Sequence, residues 1–437
     1  MNWKGRDAMC LVGLFVLAGW VNGAQGAADL ADRVSVAMPT VRDAYEQFHT
    51  YPELGLQEER TAAHLRAELE RMGFREFATV ESLPTAVIAI WDTGKAGPTI
   101  ALRAELDARP TQESADNEPR SAIDGVMHNC GHDAHAAMLL GAAEIVATDP
   151  DAFSGRIVFL FQPAEEVKGG ADDIVAHGVL QRLGVEAIFA QHVFSGLPVG
   201  EFRLTSGPAM AGSNYFTIEL SGQGSHAAAP EDGDDLPLVA ARLTEALTTL
   251  PARRLPLANR PAVLSVTHVQ TGDPRALNVL PATATIAGTI RAFEDLDEAP
   301  EGGGRSIREL VTETAEQLAA AHGVSAEVSI RKGSPPTVNN RPLEALMVPA
   351  LRDILPGKLE INQERGMFSE DFSYYTASIP SLYFGLGIAK DSLGYAGVHS
   401  SEFNLHPEAL EHGVTLLVAL AQTAGQVDLS TLDQSDD

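Results

Sequence analysis

Basic residues are scarce in this chain and cysteine is nearly absent. Lysine and arginine number 31 against 59 aspartates and glutamates in 437 residues, a formal net charge of −28. A surface so short of cations repels phosphate backbones, which argues against nucleic acid as a partner and favours divalent cations and basic groups. Two cysteines, Cys10 and Cys130, cannot build a disulfide framework. Long apolar runs are missing too: beyond residue 21 the longest uncharged segment, FSYYTASIPSLYFGLGIA at 372–389, is broken by serines, a threonine and a proline, unlike the ~20 predominantly apolar residues of a membrane span. Apolar residues make up 45% and charged residues 21%, which excludes a disordered, collagen-like or multi-span membrane chain. The length suits two packed domains, or one domain with a large insertion.

At the N-terminus Lys4 and Arg6 precede an apolar run from Met9 to Val21, then the small-residue stretch NGAQGAA at 22–28. This layout predicts an export signal over residues 1–26, cleaved near Gly26 or Ala27; an uncleaved anchor is the alternative. The expected mature protein is exported, periplasmic or secreted, and not membrane-attached. Cleavage would remove Cys10 and leave Cys130 alone. An unpaired thiol in an exported protein is open to oxidation unless something occupies it, and a metal would do so. A buried, inert cysteine is the plainer alternative.

Strands and helices then alternate. Helical spacing covers Glu58 to Met72, His132 to Ala147 and Ala171 to Leu183. Strands are expected at Thr85–Trp91, Thr99–Leu106, Arg156–Phe161 and Ala187–Gln191. RIVFLF at 156–161 is a continuous apolar run, as for a strand buried on both faces. This predicts an α/β fold with a mixed, mainly parallel sheet. From Gly212 the order becomes β-α-β-β-α-β, the ferredoxin-like arrangement, up to a boundary at Pro335-Pro336. The α/β pattern then resumes with a helix near 343–355, a strand near 381–386 and a final helix near 407–424. The domains expected are 27–211 and 333–437 for one α/β domain, with 212–332 inserted into it.

The densest chemistry is HNCGHDAH at 128–135. Thiolate and imidazole are the ligands that zinc-like ions prefer, and Cys130 and His132 flank a glycine that permits a tight turn. His135 is a further candidate. QPAEE at 162–166 follows the buried strand, where ligands of α/β sheets collect. Adjacent carboxylates there can divide the work, one holding a cation and the other acting as general base. His192 follows the strand 187–191, and His399 lies in the loop GYAGVHSSEF after the strand 381–386.

Seven segments in order resemble one family: LRAELDARPTQE, GVMHNCGHDAHAAMLLGAA, QPAEE, SGQGSHAAAP, ALNVLPATATIAGTIR, SPPTVNN and FSEDFSYY with HSSEF. The chain is similar to the metallo-aminoacylase/carboxypeptidase family, in its hippurate hydrolase and indole-acetyl-amino-acid hydrolase branch. The resemblance implies a zinc-peptidase-like catalytic domain with a lid and dimerisation insert. It implies two divalent ions per subunit (Zn, Mn, Co or Ni), with Cys130 bridging and His132, Glu166, His192 and His399 completing the ligands. Glu165 matches the general base, and Asp107 the acid that orients a ligand. His226 matches an oxyanion donor, often working in the partner's site, and Asn278 and Arg291 match substrate-holding residues. The implied function is hydrolysis of small N-acyl amino acids by a homodimer or larger homo-oligomer. A carboxypeptidase or dipeptidase of the same fold, a non-catalytic exported binding protein and a thiol hydrolase using Cys130 are the alternatives. Three residues depart from the branch: Glu105 stands for Asp, Arg109 for Leu, and Asn129 for Ala.

Overall fold

In the computed structural model the structure describes residues 10–300 and 302–432, with side chains from residue 29 onward. Lys4 and Arg6 of the expected export signal and the acidic tail Asp433–Asp437 lie outside the described residues. So do the side chains of the apolar run Met9–Val21, whose backbone from residue 10 belongs to the helix Cys10–Thr50. No helix among the described residues is long and apolar enough to cross a membrane.

The described residues fall into two compact units, the first made of the chain up to Gly207, Asn339–Gln363 and the chain from Ser378 onward. It is built on an eight-stranded sheet in the order Glu76–Ala78, Val87–Asp92, Arg156–Gln162, Thr99–Glu105, Ala187–Pro198, Ser381–Ala389, Phe202–Thr205, Leu359–Asn362. The four central strands, from Arg156–Gln162 to Ser381–Ala389, run parallel, with antiparallel pairings flanking them. Their carboxyl ends therefore share one edge, where loops can assemble a site. Residues 157–162 of the strand Arg156–Gln162 are all buried, which explains its unbroken apolar sequence.

Helix His132–Thr148 packs against the helices Cys10–Thr50 and Glu408–Ala424. It is buried on almost every side, so its sequence is Ala- and Leu-rich rather than amphipathic. Gly141 allows the close approach, since a Cβ there would lie 2.4 Å from Val41 Cγ2. The helix ending at Thr50 buries Leu30, Val34, Met38, Val41 and Phe48 at helical spacing, although Pro39 lies inside it.

Two expectations change. The helix over 171–183 is broken into Ala171–Ala176 and Val179–Leu183 by Gly178, whose φ of 61° is left-handed. The strand expected to stop at Gln191 continues to Pro198, so His192 lies within it rather than after it.

The second unit comprises Pro208–Val338 and Glu364–Ala377. Its four-stranded sheet has the order Ala262–Thr271, Thr283–Ala292, Gly212–Ser221, Ser325–Lys332, antiparallel throughout. With helices Leu236–Arg254 and Ile307–Ala321 this is the β-α-β-β-α-β order of a ferredoxin-like unit. Both helices begin on a capping side chain: Asp235 accepts from Leu238 N–H, and Ser306 with Glu309 forms a reciprocal capping box. Ser225–His226 and Val279–Leu280 form a separate two-stranded ribbon.

Candidate metal centre

Four side chains of the first unit gather around the sulfur of Cys130. The donor atoms of Cys130, His132 and His192 lie within 4.8 Å of one another, and so do those of Cys130, Glu166 and His399. Cys130 belongs to both triads. A third grouping at the same spacing joins His132, Glu165 and Glu166.

Local structure aims each donor. Gly131, with φ 85°, sits between Cys130 and the first turn of the helix His132–Thr148, and a Cβ there would lie 2.6 Å from Val193. A glycine is therefore required to turn thiol and imidazole toward one point. His132 Nδ1 donates to the Asp107 carbonyl at 2.8 Å, leaving Nε2 as the ligand atom. His192 Nδ1 donates to the Val193 carbonyl at 2.8 Å, and its Nε2 faces Cys130 Sγ at 3.4 Å. Carbonyl acceptors of this kind fix the tautomer of a ligating imidazole. The Asp107 carboxylate accepts the backbone N–H of Glu165 at 3.0 Å and of Glu166 at 2.9 Å, and lies 3.3 Å from His132 Nδ1. One acid thus clamps the QPAEE turn onto His132. His399 has a left-handed backbone (φ 68°), and its N–H donates to the Asn129 carbonyl at 2.6 Å.

The residues fit divalent ions. His132 Nε2 is buried with no hydrogen-bond partner among the described residues, as is Glu166 Oε1. His399 Nε2 lies 3.0 Å from that oxygen, close enough for an ion pair yet not aligned as a hydrogen bond. Buried polar atoms without partners are costly, and a cation shared between these donors removes the cost. Thiolate, imidazole and carboxylate together are the donor set of a zinc-like site. Protonation agrees. Burial pushes Glu166 up, but His399, His132 and Arg109 outweigh it and bring the carboxyl to about 2. Burial, then repulsion from His135, lowers His192 to about 3, so it is neutral and able to ligate.

His135 is not free for this role. Its Nδ1 donates to Glu105 Oε2 at 2.8 Å and its Nε2 accepts from Val193 N–H at 3.1 Å. Glu105 is also paired with the buried Arg103. The glutamate that replaces the branch's aspartate is thus part of a closed buried network behind the ligands.

Sequence reasoning missed a second network. His49 Nδ1 donates to Asp133 Oδ2 at 2.6 Å and Nε2 to Glu113 Oε1 at 2.9 Å, all buried. Burial alone would lower its pKa, but the two carboxylates raise it to about 10. A folded-state value above the unfolded ~6.5 stabilises fully below pH ~6.5, and that stability is lost as pH rises through the folded value. His49→Gln should therefore cost on the order of 3 kcal/mol in urea unfolding at pH 7. The difference from wild type should shrink as pH rises from ~6.5 toward about 10 and be largely gone above it. A gap that stays constant from pH 6 to pH 10.5 would show that His49 is not charged in the fold. Glu58 was missed as well: it accepts from Ala164 N–H at 2.9 Å and from Thr85 at 3.0 Å, holding the turn that carries Glu165. Nothing in their sequence context separates these residues from ordinary surface charges.

In the second unit His226 is exposed on the ribbon, paired with Val279. Its Nδ1 accepts from Ala228 N–H at 3.1 Å, which places the proton of the neutral ring on Nε2 as an outward donor. Asn278 is brought beside it, its carbonyl accepting from Ala227 N–H at 2.9 Å. Arg291, on strand Thr283–Ala292, donates from Nη1 to Ser369 Oγ at 2.6 Å.

Residues 101–423 match the family described as peptidase family M20/M25/M40. Over 380 residues the chain is 36% identical to IAA-amino acid hydrolase ILR1-like 2 of Arabidopsis thaliana, covering 86% of this chain and 83% of that protein. It is 35% identical to an N-acetyl-L-cysteine deacetylase of Bacillus subtilis over 345 residues, 78% of this chain and 79% of the other. Among solved structures, the Bacillus subtilis YXEP protein, a dinuclear metal-binding peptidase of the M20 family, superposes with a TM-score of 0.76 at 30% identity. That superposition covers 91% of this chain and 99% of the other.

Proposed function

This chain belongs to peptidase family M20/M25/M40, and we propose that within it the protein is an exported amidohydrolase that cleaves small N-acyl amino acids with two divalent ions. The observation that carries this reading is the pair of ligand triads sharing Cys130, with Glu165 grouped against His132 and Glu166. Cys130, His132, Glu166, His192 and His399 would hold the ions, of which Zn, Mn, Co and Ni suit a thiolate and imidazole set. Bound there, the ions would polarise the amide carbonyl and acidify water.

The chain's own groups do the rest. Glu165 takes a proton from the attacking water and returns it to the leaving amine. Asp107 keeps that carboxylate and Glu166 in register by accepting both backbone N–H groups. His226, with its proton on Nε2, is assigned to the oxyanion, where one good donor contributes about 3–4 kcal/mol. Following the resemblance, it works in a homodimer or larger homo-oligomer, in the site of a neighbouring copy. Arg291 with Asn278 is assigned to the substrate's α-carboxylate, which guanidinium pairs bidentately. The relatives named for amino acid conjugates and for N-acetylcysteine support a substrate with that free acid. Export rests on the N-terminal pattern and is tested by the mature N-terminus, expected near Ala27.

Turnover of N-acyl amino acids and of their carboxamide counterparts tests the substrate class. Wild type should prefer the free acid by at least ~10-fold, or about 1.4 kcal/mol. Arg291→Ala should lose that preference while still hydrolysing the carboxamide. Equal turnover of both by the wild type would remove the carboxylate anchor and favour a general amidase.

A further inference from the structure

We propose that Arg109 makes the two halves of the metal centre unequal, holding the Glu166–His399 half to weaker cation binding than the Cys130–His132–His192 half. The proposal rests on the two-metal reading above. Arg109 is fixed by its backbone, which exchanges N–H···O bonds of 3.0 Å with Met127 in both directions. From there its Nη1 donates to Glu166 Oε2. The other oxygen, Oε1, is the one beside His399 Nε2. Glu166 can thus offer a cation one oxygen only, and a fixed positive charge touches that ligand.

The two halves differ in every relevant respect. His132 is fully buried and His192 is mostly buried, and backbone carbonyls hold both Nδ1 atoms so that each Nε2 faces the site. The nearby Arg103 faces its own buried partner, Glu105. The other half is open, with the His399 side chain 46% exposed and Arg109 31% exposed. An incoming dication there meets like charge at one of its ligands, and like charges at contact range oppose binding even where solvent screens them. Arg109 is not needed to place Glu166, whose N–H is already held by Asp107 Oδ2 at 2.9 Å. Removing the guanidinium should therefore relieve repulsion more than it loosens the ligand. Arg109 is a tuning residue in this account and takes no part in bond cleavage.

The test is metal uptake by the full-length protein, dialysed against a chelator-buffered series of free Zn²⁺ concentrations and assayed by elemental analysis. Wild type should load in two steps separated by at least ~10-fold in free Zn²⁺. Arg109→Met should move the second step to lower free Zn²⁺ by at least ~10-fold and leave the first in place. Arg109→Lys keeps the charge and should leave the second step within ~3-fold of wild type. Loading of the wild type in one step, a second step that ignores Arg109→Met, or both steps moving together would overturn the role of Arg109. Fewer than two ions per subunit at saturation would instead overturn the two-metal reading itself.

Discussion

Cys130→Ala should strip the protein of most of its metal and of nearly all its activity, a larger loss than any single histidine variant produces. Its sulfur is the one donor common to both ligand triads. Losing His192 or His399 leaves two donors in one half and three in the other; losing Cys130 leaves two in each. Thiolate is also the softest donor of the set and the one that most favours zinc-like ions. Alanine fits the space without strain, and the helix that follows is anchored by Gly131 and by packing that Cys130 does not provide. The variant should therefore fold, with a thermal midpoint near that of metal-free wild type. Elemental analysis of purified protein decides the matter. Full occupancy in Cys130→Ala would mean that the histidines and Glu166 suffice, and the bridging assignment would be wrong.

Much of the scaffold is legible in the sequence because burial leaves periodic traces. RIVFLF reads as a central strand since both faces are covered, and the switch to β-α-β-β-α-β order locates the insertion. What periodicity does not carry is left out. The long helix ending at Thr50 is obscured by Pro39 and by the adjoining apolar run Met9–Val21, which reads as an export signal. The assignment of Glu364–Ala377 to the second unit follows from tertiary contacts that no local pattern announces. The candidate ligands stand out because Cys, His and Glu cluster in HNCGHDAH and QPAEE and recur beside expected strands, a pattern rare by chance. Their supports do not stand out. His49, Glu58 and Glu113 each look like a solvated charge, and only the fold buries them and supplies partners. Arg109 is a related case: its departure from the branch is visible in sequence, but its contact with Glu166 is not.

Glu165→Gln should separate binding from chemistry. The two carboxylates of QPAEE are adjacent, yet their surroundings differ. Glu166 is tied to Arg109 and faces His399, and its carboxyl is brought down to about 2 despite burial. A group held ionised so firmly is a poor proton acceptor and a good ligand. Glu165 shares the same clamp through Asp107, and its carboxylate lies within 4.8 Å of the His132 and Glu166 donor atoms. That position lets it reach a water between them without being committed to a cation. Glutamine keeps the shape and the backbone clamp but cannot take the proton. Metal content should stay near two ions per subunit while kcat falls at least ~10²-fold, about 2.7 kcal/mol, with KM little changed. Glu166→Gln should do the reverse, losing metal first and rate as a consequence, with partial recovery at high metal concentration. If Glu166→Gln keeps its metal and loses its rate while Glu165→Gln loses metal, the roles of the two carboxylates are exchanged. The proton acceptor is then the residue that Arg109 touches.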